Sequence, residues 1–187
     1  MLEIGAGDGG STLSMASFAK HLTLIDSWHQ NWPKDKVQAL TTKYNAPITF
    51  IDKQSSEVSS KELPNFSIAH LDANKDYQST IKDLELVSKL CEVICVDDYL
   101  QSMWPEVTWA VDDWLQKSNW QRIFTSNHQV FLSKKNIAIK EIVVNWPVIN
   151  RGYGYHLTYG KFDNSDLVNR FIKAGSMQYT WHAEQEQ

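Results

Sequence analysis

The segment Gly5-Ala6-Gly7-Asp8-Gly9-Gly10 is dominated by glycine, with Glu3 just before it and Ser11 just after. Glycine lets a backbone turn tightly and lie close against a ligand. If a helix starts near Ser11, its free N–H groups can receive polar ligand atoms. Further along, Asp26 supplies an acceptor for paired sugar hydroxyls, the usual companion of such a loop. A second set of residues is acidic. Asp72 and the pair Asp97-Asp98 each close an apolar run. Three carboxylates gathered at one place repel one another unless a cation stands between them. An oxygen-only ligand set suits Mg²⁺, which keeps positions open for water or substrate. Lys75 follows Asp72 closely. Beside a metal ion its ammonium is disfavoured, which lowers its pKa and fits it for general-base work. The plainer alternatives are solvated strand ends, helix caps and an exposed lysine.

These groups need a frame that brings them together. Met1–Gly5, His21–Asp26, Ile48–Asp52, Phe66–Asp72 and Val93–Asp97 are short and apolar or β-branched, and they end in Gly or Asp. They read as strands. Pro33–Tyr44, Asp76–Leu90 and Pro105–Lys117 repeat apolar residues at helical spacing. Strand–helix alternation with continuously apolar strands predicts a doubly wound, mostly parallel α/β sheet covered on both faces. Ligands bind such sheets at the carboxyl ends of the strands. The glycine loop, Asp26, Asp72, Asp97 and Asp98 are therefore expected to share one rim. Trp120–Thr125 and Gln129–Ser133, joined by Ser126-Asn127-His128, predict a hairpin that adds an antiparallel strand at the sheet edge.

Residues 1–135 form the expected domain. Residues 136–187 are expected to be an extension packed on that domain or on a partner, with a strand at Ile142–Val144, a Gly/aromatic loop at Asn150–Tyr155 and a helix at Asn164–Ala174. No helix precedes the first strand, so its cover is expected from a further segment or another chain.

The bulk numbers restrict the class. A chain of 187 residues with a hydrophobic fraction of 42% and a charged fraction of 21% can bury a core. A net charge of −4 argues against a protein that coats nucleic acid. No apolar run is long enough to span a membrane. Cys91 and Cys95 read as reduced core thiols on one strand face, which points to a cytoplasmic location. Eight tryptophans offer core packing, an aromatic substrate wall or a subunit interface, so a homo-oligomer is a further expectation.

The glycine spacing by itself fits two cofactor classes. Gly5, Gly7 and Gly9 give the G-x-G-x-G of S-adenosylmethionine (SAM) binders, and Gly5, Gly7 and Gly10 the G-x-G-x-x-G of dinucleotide binders. Glu3 favours the first, because a carboxylate suits the sulfonium and amino group of SAM and has less use beside a pyrophosphate. Leu2-Glu3-Ile4-Gly5-Ala6-Gly7-Asp8-Gly9-Gly10-Ser11 resembles the first motif of class I SAM-dependent methyltransferases. Asp26 matches that family's ribose acid, and Asp26-Ser27-Trp28 resembles the Asp-x-Trp of methyltransferases acting on sugar and natural-product hydroxyls. Lys53–Val58 falls where the family places Gly-Asp-Ser near the adenine, with Gln54 in the Asp position. His70-Leu71-Asp72 and Val96-Asp97-Asp98-Tyr99 resemble the metal-site strands of the macrolide- and sugar-modifying group. Asp72-Ala73-Asn74-Lys75-Asp76 is similar to the matching segment of catechol- and caffeoyl-CoA-type O-methyltransferases.

The resemblance spans residues 1–133. It implies a cofactor site of Glu3, Gly5, Gly7, Gly9, Ser11, Asp26, Gln54, Ser55 and Asp72, metal ligands Asp72, Asp97 and Asp98, and Lys75 as base. The chain departs from the natural-product group at Asn74, where a second Asp is usual, and at Lys75, where His is usual. Leu90-Cys91-Glu92 replaces a common Pro-Gly-Gly turn. The resulting expectation is Mg²⁺-assisted methyl transfer from SAM to an oxygen of a small hydroxylated substrate, with neither nucleic acid nor membrane as partner. The competing readings are a SAM-fold module reduced to binding and an NAD-dependent oxidoreductase.

Overall fold

A computed structural model describes residues 1–16, 19–28, 34–42, 47–125 and 128–134. Seven strands are present among them: β1 (Leu2–Ile4), β2 (Leu22–Asp26), β3 (Ile48–Asp52), β4 (Phe66–Leu71), β5 (Cys91–Asp97), β6 (Trp120–Thr125) and β7 (Gln129–Lys134). The helices between them are α1 (Gly10–Ala16), α2 (Lys34–Thr42), α3 (Tyr77–Val87) and α4 (Pro105–Lys117). One sheet runs in the order β3-β2-β1-β4-β5-β7-β6. Strands β1 to β5 pair in parallel, and β7 pairs antiparallel with both β5 and β6. The doubly wound, mostly parallel class is the one the sequence predicts.

The local reasons are visible in the chain. Continuous apolar strands such as Val93-Ile94-Cys95-Val96 are buried on both faces, as helices on two sides of a parallel sheet require. Leu2, Ile4, Ile25, Leu71, Ile94 and Val96 face a core shared with α3 and α4, while Leu22 and Leu24 face a smaller one with α1 and α2. Asp76 starts α3 as its cap, its side chain accepting the Ser79 amide at 2.9 Å. Pro105 opens α4 at a first-turn position, where a missing N–H costs nothing.

Small boundary differences have simple causes. β5 begins at Cys91, ahead of the expected Val93, because Cys91 is in register with Phe66 of β4. α3 is shorter than expected: Asp76 is its cap, and the Leu90 amide closes a turn onto the Val87 carbonyl. Cys91 and Cys95 are free and buried, as expected of core thiols. Pro33, the Ser126-Asn127 turn and every element expected beyond residue 135 lie outside the described residues. Among the described residues no helix is long and apolar enough to cross a membrane.

From β1 the chain builds outward to β2 and β3, then returns to add β4 and β5 on the other side. The order reverses between β1 and β4, and the crevice of such a sheet opens at that switch point. The glycine loop follows β1 directly, and Asp72 follows β4 directly.

Candidate cofactor site and acidic rim

The glycine loop crosses the switch point under tight constraint. Asp72 donates its amide to the Ile4 carbonyl at 2.8 Å, and Gly5 donates to Ile25 of β2 at 3.0 Å. Gly5 has φ +85°, and a β-carbon there would overlap the Asp72 carbonyl, so both conformation and space demand glycine. Gly7 differs. It also has positive φ, yet a β-carbon would meet nothing within 4 Å, so this part of the loop faces open space. Gly9 leads into α1 and lies against Val37 of α2.

Two acids hold the loop. Asp26, at the end of β2, accepts the Ala6 amide at 2.8 Å and the Gly7 amide at 3.2 Å on Oδ2, and the Trp28 amide at 2.7 Å on Oδ1. Glu3 is fully buried beneath the loop. Its two oxygens accept hydroxyl hydrogens from Ser11 and Thr12, both at 2.5 Å. A buried carboxylate needs such donors, and here they tie β1 to the first turn of α1. Glu3 thus sits inside the protein under the loop, and Ser11 turns inward to meet it.

His70 of β4 lies behind Glu3, with Nδ1 at 3.4 Å from Oε1 but outside hydrogen-bond geometry. Burial pulls its pKa down, yet Glu3, Asp72 and Asp97 together outweigh burial and hold it above the ordinary value.

At the acidic rim a lysine stands between two of the carboxylates. Lys75 Nζ lies 2.5 Å from Asp72 Oδ1 and 2.7 Å from Asp98 Oδ2. Asp98 has left-handed backbone, φ +61°, an uncommon state for a residue with a side chain. The sequence expectation of a lowered Lys75 pKa supposes a metal ion beside it; next to the carboxylates alone the direction is the opposite. Burial does push it down, but Asp72 and Asp98 more than compensate, and it is raised. As placed, the ammonium is paired with both carboxylates. Two of the three carboxylates expected to hold a metal share this ammonium. Among the described residues no group of three His, Cys, Asp or Glu could hold a metal ion.

Asp97 is the rim carboxylate without an ion pair among the described residues. Burial, then Asp72, raises its pKa. Beneath it a cavity of about 10 Å³, the room of one water molecule, is lined by Lys75, Thr80, Asp83 and Asp97.

A family profile for a methyltransferase domain matches residues 2–99, just over half of the chain. The chain belongs to this methyltransferase family. No curated protein matches the sequence significantly.

Solved structures share the fold of this methyltransferase. CalS11, a TDP-rhamnose 3'-O-methyltransferase of calicheamicin biosynthesis, is 12% identical with a TM-score of 0.59 over 73% of this chain and 71% of its own. An rRNA methylase from Streptococcus thermophilus is 15% identical with a TM-score of 0.55 over 71% and 86%. SMU.1697c from Streptococcus mutans, solved with S-adenosylhomocysteine, is 13% identical with a TM-score of 0.57 over 71% and 88%.

The remaining residues expected at the methyltransferase cofactor, Gln54 and Ser55, follow the end of β3. Gln54 is exposed and caps a 3₁₀ turn, Ser55–Glu57, its amide donating to Glu57 at 2.9 Å. Ser55 turns toward the buried Asp83 of α3. Sequence reasoning missed a neighbouring cluster. Trp28 Nε1 donates to Asp52 at 3.0 Å, Lys34 pairs with Asp52 at 2.7 Å, and Lys34 and Trp28 both lie against Phe50. Asp52 is held below the usual carboxylate range, chiefly by Lys34. The Asp26-Ser27-Trp28 motif was the signal for Trp28, but nothing in the spacing of Lys34 or Asp52 announces the cluster.

Proposed function

We propose that this protein transfers a methyl group from SAM to an oxygen of a small hydroxylated acceptor. The observation that carries the cofactor half is the pinned loop: Gly5 fills the switch point, Gly7 borders open space, and Asp26 stands at the same rim. The residues fit SAM on that ground. Asp26 Oδ1 holds one amide and keeps lone pairs for ribose hydroxyls. Bound SAM supplies an electrophilic methyl group. The chain's own residues bind and align it, and alignment with charge placement accounts for most of the acceleration such sites achieve.

The oxygen acceptor is supported by the carboxylates at the ends of β4 and β5. Asp97, the carboxylate without an ion pair there, is the group proposed to receive the acceptor's proton. Leu100, Met103 and Trp104 follow Asp98 in the chain and are exposed, which suits an acceptor with an apolar face. Lys75 stands between Asp72 and Asp98, two of the carboxylates that Mg²⁺ would need, so no step of the proposed reaction runs through a metal.

Calorimetry with SAM, S-adenosylhomocysteine and NAD tests the cofactor assignment. SAM and S-adenosylhomocysteine are expected to bind, and tight NAD binding in their place would overturn the reading.

A further inference from the structure

We infer that Lys75 is the resident cation of the acidic rim, held between Asp72 and Asp98 so that the folded protein excludes a divalent ion there. The inference deepens the proposed function and rests on it for the meaning of the rim. Its own support is geometric. The ammonium touches one oxygen of each carboxylate, at 2.5 and 2.7 Å. Mg²⁺ binds oxygen at about 2.0–2.1 Å, so an ion on those oxygens would stand next to the ammonium with no screen between two positive charges.

The lysine is not free to swing away without loss. All three side chains are at least partly buried, with exposures of 17% for Lys75, 27% for Asp72 and 18% for Asp98. Its backbone is fixed from one side by Asp76, which caps α3. Asp98 is fixed from the other: the Tyr99 amide donates to the His128 carbonyl at 3.0 Å, and the Gln101 amide to the Asp98 carbonyl at 3.3 Å. A left-handed aspartate is retained only where its surroundings over-determine it, and here it presents its carboxylate to Lys75. With Asp97 unpaired, the rim remains net negative, which suits a cationic methyl donor.

The test is Mn²⁺ binding to the full chain, followed by the electron paramagnetic resonance signal of the free ion. Wild type and Asp98→Asn are expected to bind Mn²⁺ equally weakly. Lys75→Met is expected to bind it about tenfold more tightly or better, and adding Asp98→Asn should remove that gain. Wild-type binding that Asp98→Asn weakens would overturn the inference, as would a folded Lys75→Met with no gain. If Lys75→Met does not fold, wild type against Asp98→Asn still decides. Calorimetry with SAM on the same wild-type sample separates the two ideas: loss of SAM binding sinks the proposed function, whereas the Mn²⁺ result bears on Lys75 alone.

Discussion

Asp26 and Ala6 are joined by a 2.8 Å hydrogen bond from the Ala6 amide to Asp26 Oδ2, so the carboxylate proposed to hold the cofactor also holds the loop. Asp26→Ala should therefore act twice. Losing hydrogen bonds to a charged acceptor should cost about 1.5–3 kcal/mol in SAM affinity, roughly ten- to a hundredfold. The freed Ala6, Gly7 and Trp28 amides should also lower the thermal midpoint. Calorimetry and a melting curve on one sample read both effects. Unchanged SAM affinity would remove Asp26 from the cofactor site.

Two glycines in one loop should respond differently to the same substitution. Gly5→Ala meets both a positive φ and the Asp72 backbone, and should destabilise the fold by on the order of 2–4 kcal/mol. Gly7→Ala meets only the conformational cost, about 1–2 kcal/mol, because its β-carbon enters open space. Its larger effect should fall on SAM binding. Equal losses of stability in the two variants would contradict the described loop.

Asp83 should make stability depend on pH. It is buried, and burial first of all raises its pKa to about 6. The folded state then binds the proton more tightly than the unfolded chain, whose aspartate titrates near 3.9. Its contribution is thus most favourable below about pH 4 and is lost as pH rises to about 6. Asp83→Asn should be more stable than wild type at pH 7, by on the order of 2 kcal/mol, with the two converging near pH 4. Denaturant melts across that range check the sign. A variant less stable than wild type at pH 7 would contradict it.

Asp97→Asn should separate chemistry from cofactor binding. The proposed cofactor contacts centre on the glycine loop and Asp26, so SAM affinity should change little. Turnover should fall about a hundredfold or more, the usual scale for losing a general base. A steady-state assay with full kcat and a changed KM would instead make Asp97 a contact for the acceptor.

Much of this was readable in the chain, for reasons that differ by residue. Strand ends were legible because apolar runs such as Val93–Val96 stop at acids, and the sheet then fixes where those acids meet. Gly5 was legible because tight turns and close approach leave few residue choices. The role of Glu3 was not. Ser11 read as a cofactor-site residue and Thr12 carried no signal, and only the folded first turn of α1 points both hydroxyls at one carboxylate. The double ion pair of Lys75 was hidden for a related reason. Its spacing from Asp72 is compatible with a base or with an ion pair, and the left-handed backbone of Asp98, which brings a second carboxylate to it, has no signature in the sequence. The partnership of Tyr99, Asp112 and Arg122, where the phenol donates to Asp112 at 2.8 Å and Arg122 bonds both, depends on three elements meeting and was equally silent.

The two buried cysteines turn β5 into its own reporter. They are the chain's only thiols, and both lie on the strand that ends in Asp97. Burial raises Cys91 to about 12 and Cys95 well above the ordinary thiol value, so almost no thiolate is present in the closed protein. An alkylating reagent can therefore reach them only when the middle of the sheet opens. Its rate counts openings of the strand that carries the rim, without any engineered label. A ligand seated at the crevice should slow that rate in proportion to its occupancy, which makes thiol labelling a way to find the methyl acceptor among candidates before any turnover is seen.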